Sequence, residues 1–153
     1  MTPALRFLRQ AGVKFTIRGY AWEEHGGTAV AARELGVDEH RVIKTLVLET
    51  DAREPLLMLM HGDREVSLKE LARTLDVRRV TPCSPADANR HTGCLVGGIS
   101  PFGTRKRLPA CMETTIGDLD CILINGGRRG LLLEIAVADL VRVLAPRPVS
   151  VAR

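Results

Sequence analysis

The chain has 153 residues, 45% of them hydrophobic, and 22 Lys and Arg against 18 Asp and Glu give a net charge of +4. That length suits one globular domain, able to bury a core without disulfides or metal, and no apolar run approaches the ~20 residues of a membrane-spanning helix. The mild basicity, pI about 9.2, permits an anionic partner such as RNA without demanding one. Cys83, Cys94, Cys111 and Cys121 show no C-x-x-C spacing, and no charged segment followed by an apolar signal core opens the chain. Reduced thiols in a cytoplasmic protein are expected.

In chain order, "TPALRFLRQAG" predicts a short amphipathic helix with Thr2 as N-cap and Pro3 at the first helical position. Ala4, Phe7, Leu8 and Ala11 share its inner face, and Gly12 ends it. "KFTIRGY" alternates as a half-buried strand does, with Phe15 and Ile17 on one side and Thr16, Arg18 and Tyr20 on the other. "TAVAARELG" predicts a helix over 28–36. The runs "VIKTLVL" (42–48) and "LLMLMH" (56–61) are apolar on both faces and joined by a polar turn, so they read as neighbouring strands of a buried sheet.

Ser67 and Glu70 form a capping box before Leu68, Leu71, Ala72 and Leu75 at helical spacing. A further helix is capped by Ser84, started by Pro85 and ended by Gly93. Past residue 110 the strand candidates "ACMET", "DCILIN" and "LLLEI" are linked by short turns. "VADLVRVL" closes the chain as a helix, with Val137, Leu140, Val141 and Leu144 facing inward and "APRP" stopping it. This irregular mixture predicts an α+β domain spanning 1–153 with a mixed or largely antiparallel sheet.

Three places carry chemistry. Lys44 interrupts an apolar strand, its same-face neighbours being Val42 and Leu46. A lysine there is either desolvated beside a partner or a task, or packs its stem on the sheet and lifts its amine to water. "VGGISPFG" (96–103) suits a loop whose amides approach a ligand, since Gly97 and Gly98 lack Cβ atoms, and equally suits a bulge or turn. Ser100 does not fit a nucleophile elbow because Phe102 stands where that motif needs glycine. "INGGRRG" (124–130) is a second glycine-rich turn, its Asn125-Gly126 pair signalling a hairpin. Arg105, Lys106 and Arg107 follow the first loop, and Arg128 and Arg129 lie in the second. Both groups suit phosphates or a solvated basic face. His25, His40, His61 and His91 have no metal-binding spacing; Cys83, His91 and Cys94 lack a fourth ligand. No metal or cofactor is expected.

"TPALRFL", "VIKTLVL", "TGCLVGGISPFGTRKRLP" and "INGGRRGLLLEI", in that order and over essentially the whole chain, closely resemble the YbaK/EbsC family of Cys-tRNA(Pro) deacylases, related to the editing domain inserted in bacterial prolyl-tRNA synthetases. The resemblance implies a compact α+β domain with a barrel-like sheet flanked by helices. It also implies a trans-editing enzyme that removes cysteine wrongly attached to tRNA(Pro), with that tRNA and prolyl-tRNA synthetase as partners. Apolar pockets separate near-isosteric amino acids by only ~1–3 kcal/mol, which is why a second pocket is needed.

Family members are thought to use the substrate's own thiol as nucleophile, releasing a thiolactone. By this resemblance Lys44 contacts the 3′-terminal adenosine or its phosphate. Tyr20 stands at the pocket edge, and Gly97, Gly98, Ile99, Ser100 and Pro101 form the pocket-lining loop, whose amides face the developing oxyanion. Asn125, Gly127 and Gly130 belong to the second loop. Two positions depart from some members: Asn125 stands for a serine and Leu132 for an aspartate. A water-using Ala-tRNA(Pro) deacylase and a non-catalytic aminoacyl-tRNA-binding module are the alternatives.

Overall fold

The computed structural model describes residues 1–153. Helix α1, Pro3–Gln10, starts where predicted: Leu5 N–H donates to Thr2 Oγ1 at 3.2 Å, and Ala4, Leu5 and Leu8 are buried. Strand β1, Thr16–Gly19, lies at one end of the sheet and is largely exposed, so Ile17, expected on a half-buried face, is 49% exposed. An edge strand has a neighbour on one side only, and little covers Ile17 there. Helix α2, Gly27–Leu35, ends in Gly36 in the left-handed conformation, and a 3-10 turn at Glu39–Arg41 enters β2, Val42–Thr50, followed by β3, Pro55–His61.

Helix α3, Leu68–Leu75, is capped by Ser67, whose Oγ accepts from Glu70 N–H at 3.3 Å. The reciprocal half of the capping box does not form, because the Glu70 carboxylate accepts from Arg73 at 2.7 Å. Then come β4, Val80–Pro82, and α4, Pro85–Thr92, with Asp87 N–H donating to Ser84 Oγ and Gly93 closing the helix. The remaining elements are β5, Ala110–Glu113, a 3-10 turn at Thr114–Asp118, β6, Cys121–Asn125, β7, Leu131–Ala136, α5, Val137–Leu144, and β8, Arg147–Val149.

The eight strands form one mixed sheet in the order β1-β7-β6-β2-β3-β5-β8, with β4 paired to β2 off this path and β1 and β8 at its two ends. β2 with β3, β6 with β7, and β1 with β7 are antiparallel; β2 with β6, β3 with β5, and β5 with β8 are parallel. Two strands escaped the sequence reading. β4 has three residues and no period to display. β8 carries Pro148 inside the "APRP" read as a helix stop, and lies at the sheet's end, where proline costs no internal ladder bond.

Both faces of the sheet are covered, which accounts for the doubly apolar β2 and β3. Leu8, Ile43, Leu59, Phe102, Ile124, Leu133 and Leu140 share one core, and Leu48, Met58, Met60 and Leu71 another. Helix α5 buries Val137 and Leu140, whereas Val141, expected inward, is 42% exposed because it falls on the flank of that short stripe.

One irregularity of the sheet positions the site. Along one edge of β2, Val42 and Ile43 pair with β6, and Leu48 to Thr50 pair with β4. Between them the edge opens. Cys83 N–H reaches the Val47 carbonyl across it at 3.0 Å, and strand alternation turns the peptide groups of Thr45 toward the same gap.

Candidate active site

A cavity of about 890 Å³ occupies this gap, and every residue from Val42 to Leu48 lines it. Consecutive strand residues point to opposite faces, so a cavity touching all seven wraps around the open edge of β2. Lys44 and Thr45, on opposite faces, both contribute. Lys44 is half-buried and makes no ion pair or hydrogen bond with any side chain of the protein. Thr45 Oγ1 is fully enclosed and has no hydrogen-bond partner. A buried hydroxyl in that condition costs ~1–3 kcal/mol.

Five of the ten predicted site residues line the cavity: Tyr20, Lys44, Gly97, Ile99 and Asn125. Burial pushes the Tyr20 hydroxyl pKa upward and keeps it a neutral donor. The other five shape the loops behind it. Gly98 is buried where a Cβ would lie 2.5 Å from Arg129 N, so the first glycine loop rests directly on the backbone of the second. The Ser100 side chain is wholly buried, and its Oγ accepts from Phe102 N–H at 3.2 Å, a turn-holding role. Pro101 is buried beside it. Gly127 faces Thr2, and Gly130 approaches the Tyr20 carbonyl. These five residues do not reach the cavity surface.

Asn125 links the two loops. Its Oδ1 accepts from Gly127 N–H at 2.6 Å and Arg128 N–H at 3.1 Å, while its Nδ2 donates to the Arg128 carbonyl and, at 3.5 Å, to the Gly97 carbonyl. The hairpin that its Asn-Gly pair announced does form between β6 and β7. Gly98 N–H is taken by the Leu95 carbonyl, whereas the amides of Gly97, Ile99 and Ser100 have no acceptor in the protein.

Two wall residues were not singled out as pocket residues. Trp22 lies against Gly97, where a Cβ would sit 2.9 Å from the indole nitrogen. Arg129 places its guanidinium 4.3 Å from the centre of the Trp22 ring and donates to the Val96 carbonyl at 3.0 Å. It braces the loop through a cation–π contact, so only part of its charge remains for phosphates. The one tryptophan of the chain, two residues beyond Tyr20, was the available signal. Leu132 is buried in the wall at 4% exposure, packed with Ala31, Val42 and Leu123.

The cavity holds no activated nucleophile. Cys83 lines it, but burial first, then the charges of Glu49 and Asp87, push its thiol pKa up to about 11. It is a neutral thiol near pH 7, and the thiolate is the reactive form. His40, His61 and Asp63 cluster elsewhere, with His40 Nδ1 2.9 Å from Asp63 Oδ1. His61 uses both ring nitrogens, on the His40 carbonyl and Thr115 Oγ1, which leaves it no lone pair for an ion.

A mixed-sheet α+β fold with a small-ligand cavity between two glycine loops, a free lysine and no nucleophile defines a site that binds and orients. Residues 23–143 match the family model described as the aminoacyl-tRNA editing domain. EbsC of Enterococcus faecalis, to which Cys-tRNA(Pro)/Cys-tRNA(Cys) deacylase activity is attributed, is 30% identical over 136 residues, covering 88% of this chain and 83% of that one. The multifunctional Ser/Thr-tRNA deacylase ProXp-y of Escherichia coli K12 is 27% identical over 99 residues, covering 64% and 59%. A crystal structure described as a trans-editing enzyme for prolyl-tRNA synthetase superposes with a TM-score of 0.87 at 18% identity, covering 100% and 99%.

The chain belongs to the aminoacyl-tRNA editing domain family, on the YbaK/EbsC branch that its motifs resemble. Editing removes a wrongly attached amino acid by cleaving its ester to tRNA, so the family function is that of an aminoacyl-tRNA deacylase. No helix is long and apolar enough to cross a membrane.

Proposed function

We propose that the cavity receives the 3′-aminoacyl adenosine of a mischarged tRNA, and that the chain is a trans-editing deacylase acting on cysteinyl-tRNA(Pro) after prolyl-tRNA synthetase has made the error. The observation that carries this reading is an unpaired Lys44 amine in a cavity without an activated nucleophile. A site so equipped works by orientation. Holding the substrate's own thiol against its ester carbonyl is the kind of proximity that supplies several kcal/mol.

In the proposed step the cysteine sulfur attacks the carbonyl carbon, a C–S bond forms, and the C–O bond to the ribose breaks. The ribose oxygen leaves with the proton that the thiol gave up, and a thiolactone is released. Lys44 holds the terminal adenosine or its phosphate, and Tyr20 borders the aminoacyl group. The unpaired amides of Gly97, Ile99 and Ser100 supply donors for the carbonyl oxygen as it gains charge. Gly98, Pro101, Asn125, Gly127 and Gly130 keep the two loops together. This assigns Ser100 an amide and a turn in place of a nucleophilic hydroxyl.

Leu132 favours a second reading. With leucine in the wall, no carboxylate is available at that position for the substrate amine, and the apolar surface suits alanine as well as cysteine. Incubation with Cys-, Ala-, Ser- and Pro-tRNA(Pro), counting the surviving ester, separates these. Loss of the cysteinyl ester with the seryl and prolyl esters intact is the expected result. Preferential loss of the alanyl ester, or efficient loss of the seryl one, would point to an activated water. Persistence of all four would leave a tRNA-binding module.

A further inference from the structure

A second cavity, of about 350 Å³, lies on the opposite flank of α4. Its wall is formed by Glu49, Arg53, Asp87, Arg90, His91 and Lys106, with Pro55 and without a hydrophobic side chain. Pro85 and Ala88 of the same helix face the larger cavity. The two spaces meet at one contact, where Cys83 Sγ, in the larger cavity, donates to Glu49 Oε2 at 3.9 Å.

The charges of this second cavity are unequally committed. Asp87 is paired with Arg90 at 2.9 Å. Arg53 and Lys106 have no acidic partner within salt-bridge distance, and the Cys83 thiol is the only side chain bonded to Glu49. His91 is 7% exposed, and its ring makes no hydrogen bond within the protein, so its polar edge is open only to the cavity it lines. Lys106 is fixed beside it, because Lys106 N–H donates to the His91 carbonyl at 3.0 Å and Arg105 N–H to the Thr92 carbonyl at 3.1 Å.

Two uncommitted cations and an imidazole suit a phosphate. A carboxylate acceptor among them would repel that phosphate unless a hydroxyl donor accompanied it, and the absence of an apolar wall removes any platform for a base. A ribose-phosphate unit meets all three conditions: phosphate to Arg53, Lys106 and His91, and the 2′-hydroxyl to Glu49. We propose that this cavity binds a ribose-phosphate unit of the RNA whose aminoacylated end occupies the larger one. The proposal rests on the function assigned above and extends it to a backbone contact that distinguishes RNA from DNA. Free phosphate shares the chemistry without the hydroxyl.

The test combines binding and NMR. A single-stranded RNA ending in CCA, its deoxy counterpart and inorganic phosphate are titrated into the wild-type protein, the combined Arg53→Ala and Lys106→Ala variant, and Glu49→Gln, while the His91 imidazole signals are followed. For the double variant we expect RNA affinity to fall about tenfold and the salt dependence of log K to flatten by about 1.4, at about 0.7 per lost phosphate contact to a single strand. Glu49→Gln should reduce the preference for ribose over deoxyribose, and RNA should move the His91 signals in the wild type. Unchanged affinity and salt slope in the double variant would overturn the proposal. So would equal binding of RNA and DNA, or His91 signals that answer inorganic phosphate and ignore RNA. Cleavage of a cysteinyl ester of adenosine by the wild-type protein tests the larger cavity alone, since that substrate has no phosphodiester. Its failure would sink the deacylase reading and leave the RNA-binding result standing.

Discussion

Lys44 and Thr45 are adjacent in sequence and face opposite ways, yet one ligand can reach both because the sheet is open at that point. The ammonium of Lys44 meets no carboxylate of the protein, so its full charge remains for a bound nucleotide. Lys44→Ala should lower kcat/KM by about 100-fold or more, equivalent to about 2.7 kcal/mol, while the melting temperature stays within a few degrees of wild type. Retained activity would remove the lysine from the proposed mechanism. Thr45 makes a more discriminating case. Replacing an unpartnered buried hydroxyl by a methyl of the same shape relieves an unmet hydrogen bond. Thr45→Val should therefore raise the melting temperature by about 2–4 °C, for roughly 1 kcal/mol. If the hydroxyl is kept for the substrate, the same change should cost about tenfold in kcat/KM. A stabilised variant with undiminished activity would make Thr45 an ordinary packing residue.

At the scale of elements, the site depends on two loops meeting edge to edge. Gly98 carries that contact: the atom a Cβ would strike is backbone, Arg129 N at 2.5 Å, which cannot swing away as a side chain can. Gly98→Ala must part the loops, at a cost of ~1–3 kcal/mol typical of overpacking. It should lower both the melting temperature and deacylation, because the displaced segment carries the Gly97 and Ile99 amides. Thermal melts beside cleavage assays check this; an alanine tolerated in both would mean that the loops move independently. Both loops were legible in the sequence because glycine pairs beside an Asn-Gly turn are scarce, and Lys44 because it breaks an apolar strand. The purpose of the glycines was not. "GGISPFG" reads as a loop lining a ligand, but Gly98 is glycine for the sake of the other loop, a distance fact between residues 98 and 129 that no local pattern records. Trp22 was hidden for the same reason, since its role as a prop exists only once residues 22, 97 and 129 converge. Strand β8 was hidden by Pro148, which local rules read as a stop and the sheet's end accepts.

The molecule as a whole depends on its final residues to hold one wall of the cavity. Glu113, at the end of β5, is 2% exposed, and its Oε1 accepts from Val151 N–H at 2.7 Å and Ala152 N–H at 2.9 Å. The segment so anchored then pairs with the chain entering α3: Ser67 N–H donates to the Val151 carbonyl, and Glu65 and Arg153 exchange backbone hydrogen bonds. Glu65, Val66 and Leu68 line the larger cavity. The order of dependence runs from one buried carboxylate to a terminal segment, and from that segment to the wall opposite the glycine loops. Glu113→Ala strands two buried amides, at ~1–3 kcal/mol each, so a melting temperature lower by about 5–15 °C is expected at roughly 2–4 °C per kcal/mol. Glu113→Gln retains a carbonyl oxygen at the same place and should lose less than half as much. If the tether also fixes the wall, amide exchange at Val66 and Leu68 will quicken in Glu113→Ala together with exchange at Val151. KM for an aminoacyl-tRNA will then rise more than kcat falls, because the wall contacts bound substrate and not the reacting atoms. Faster exchange confined to residues 151–153 would show instead that the cavity wall stands without its tether.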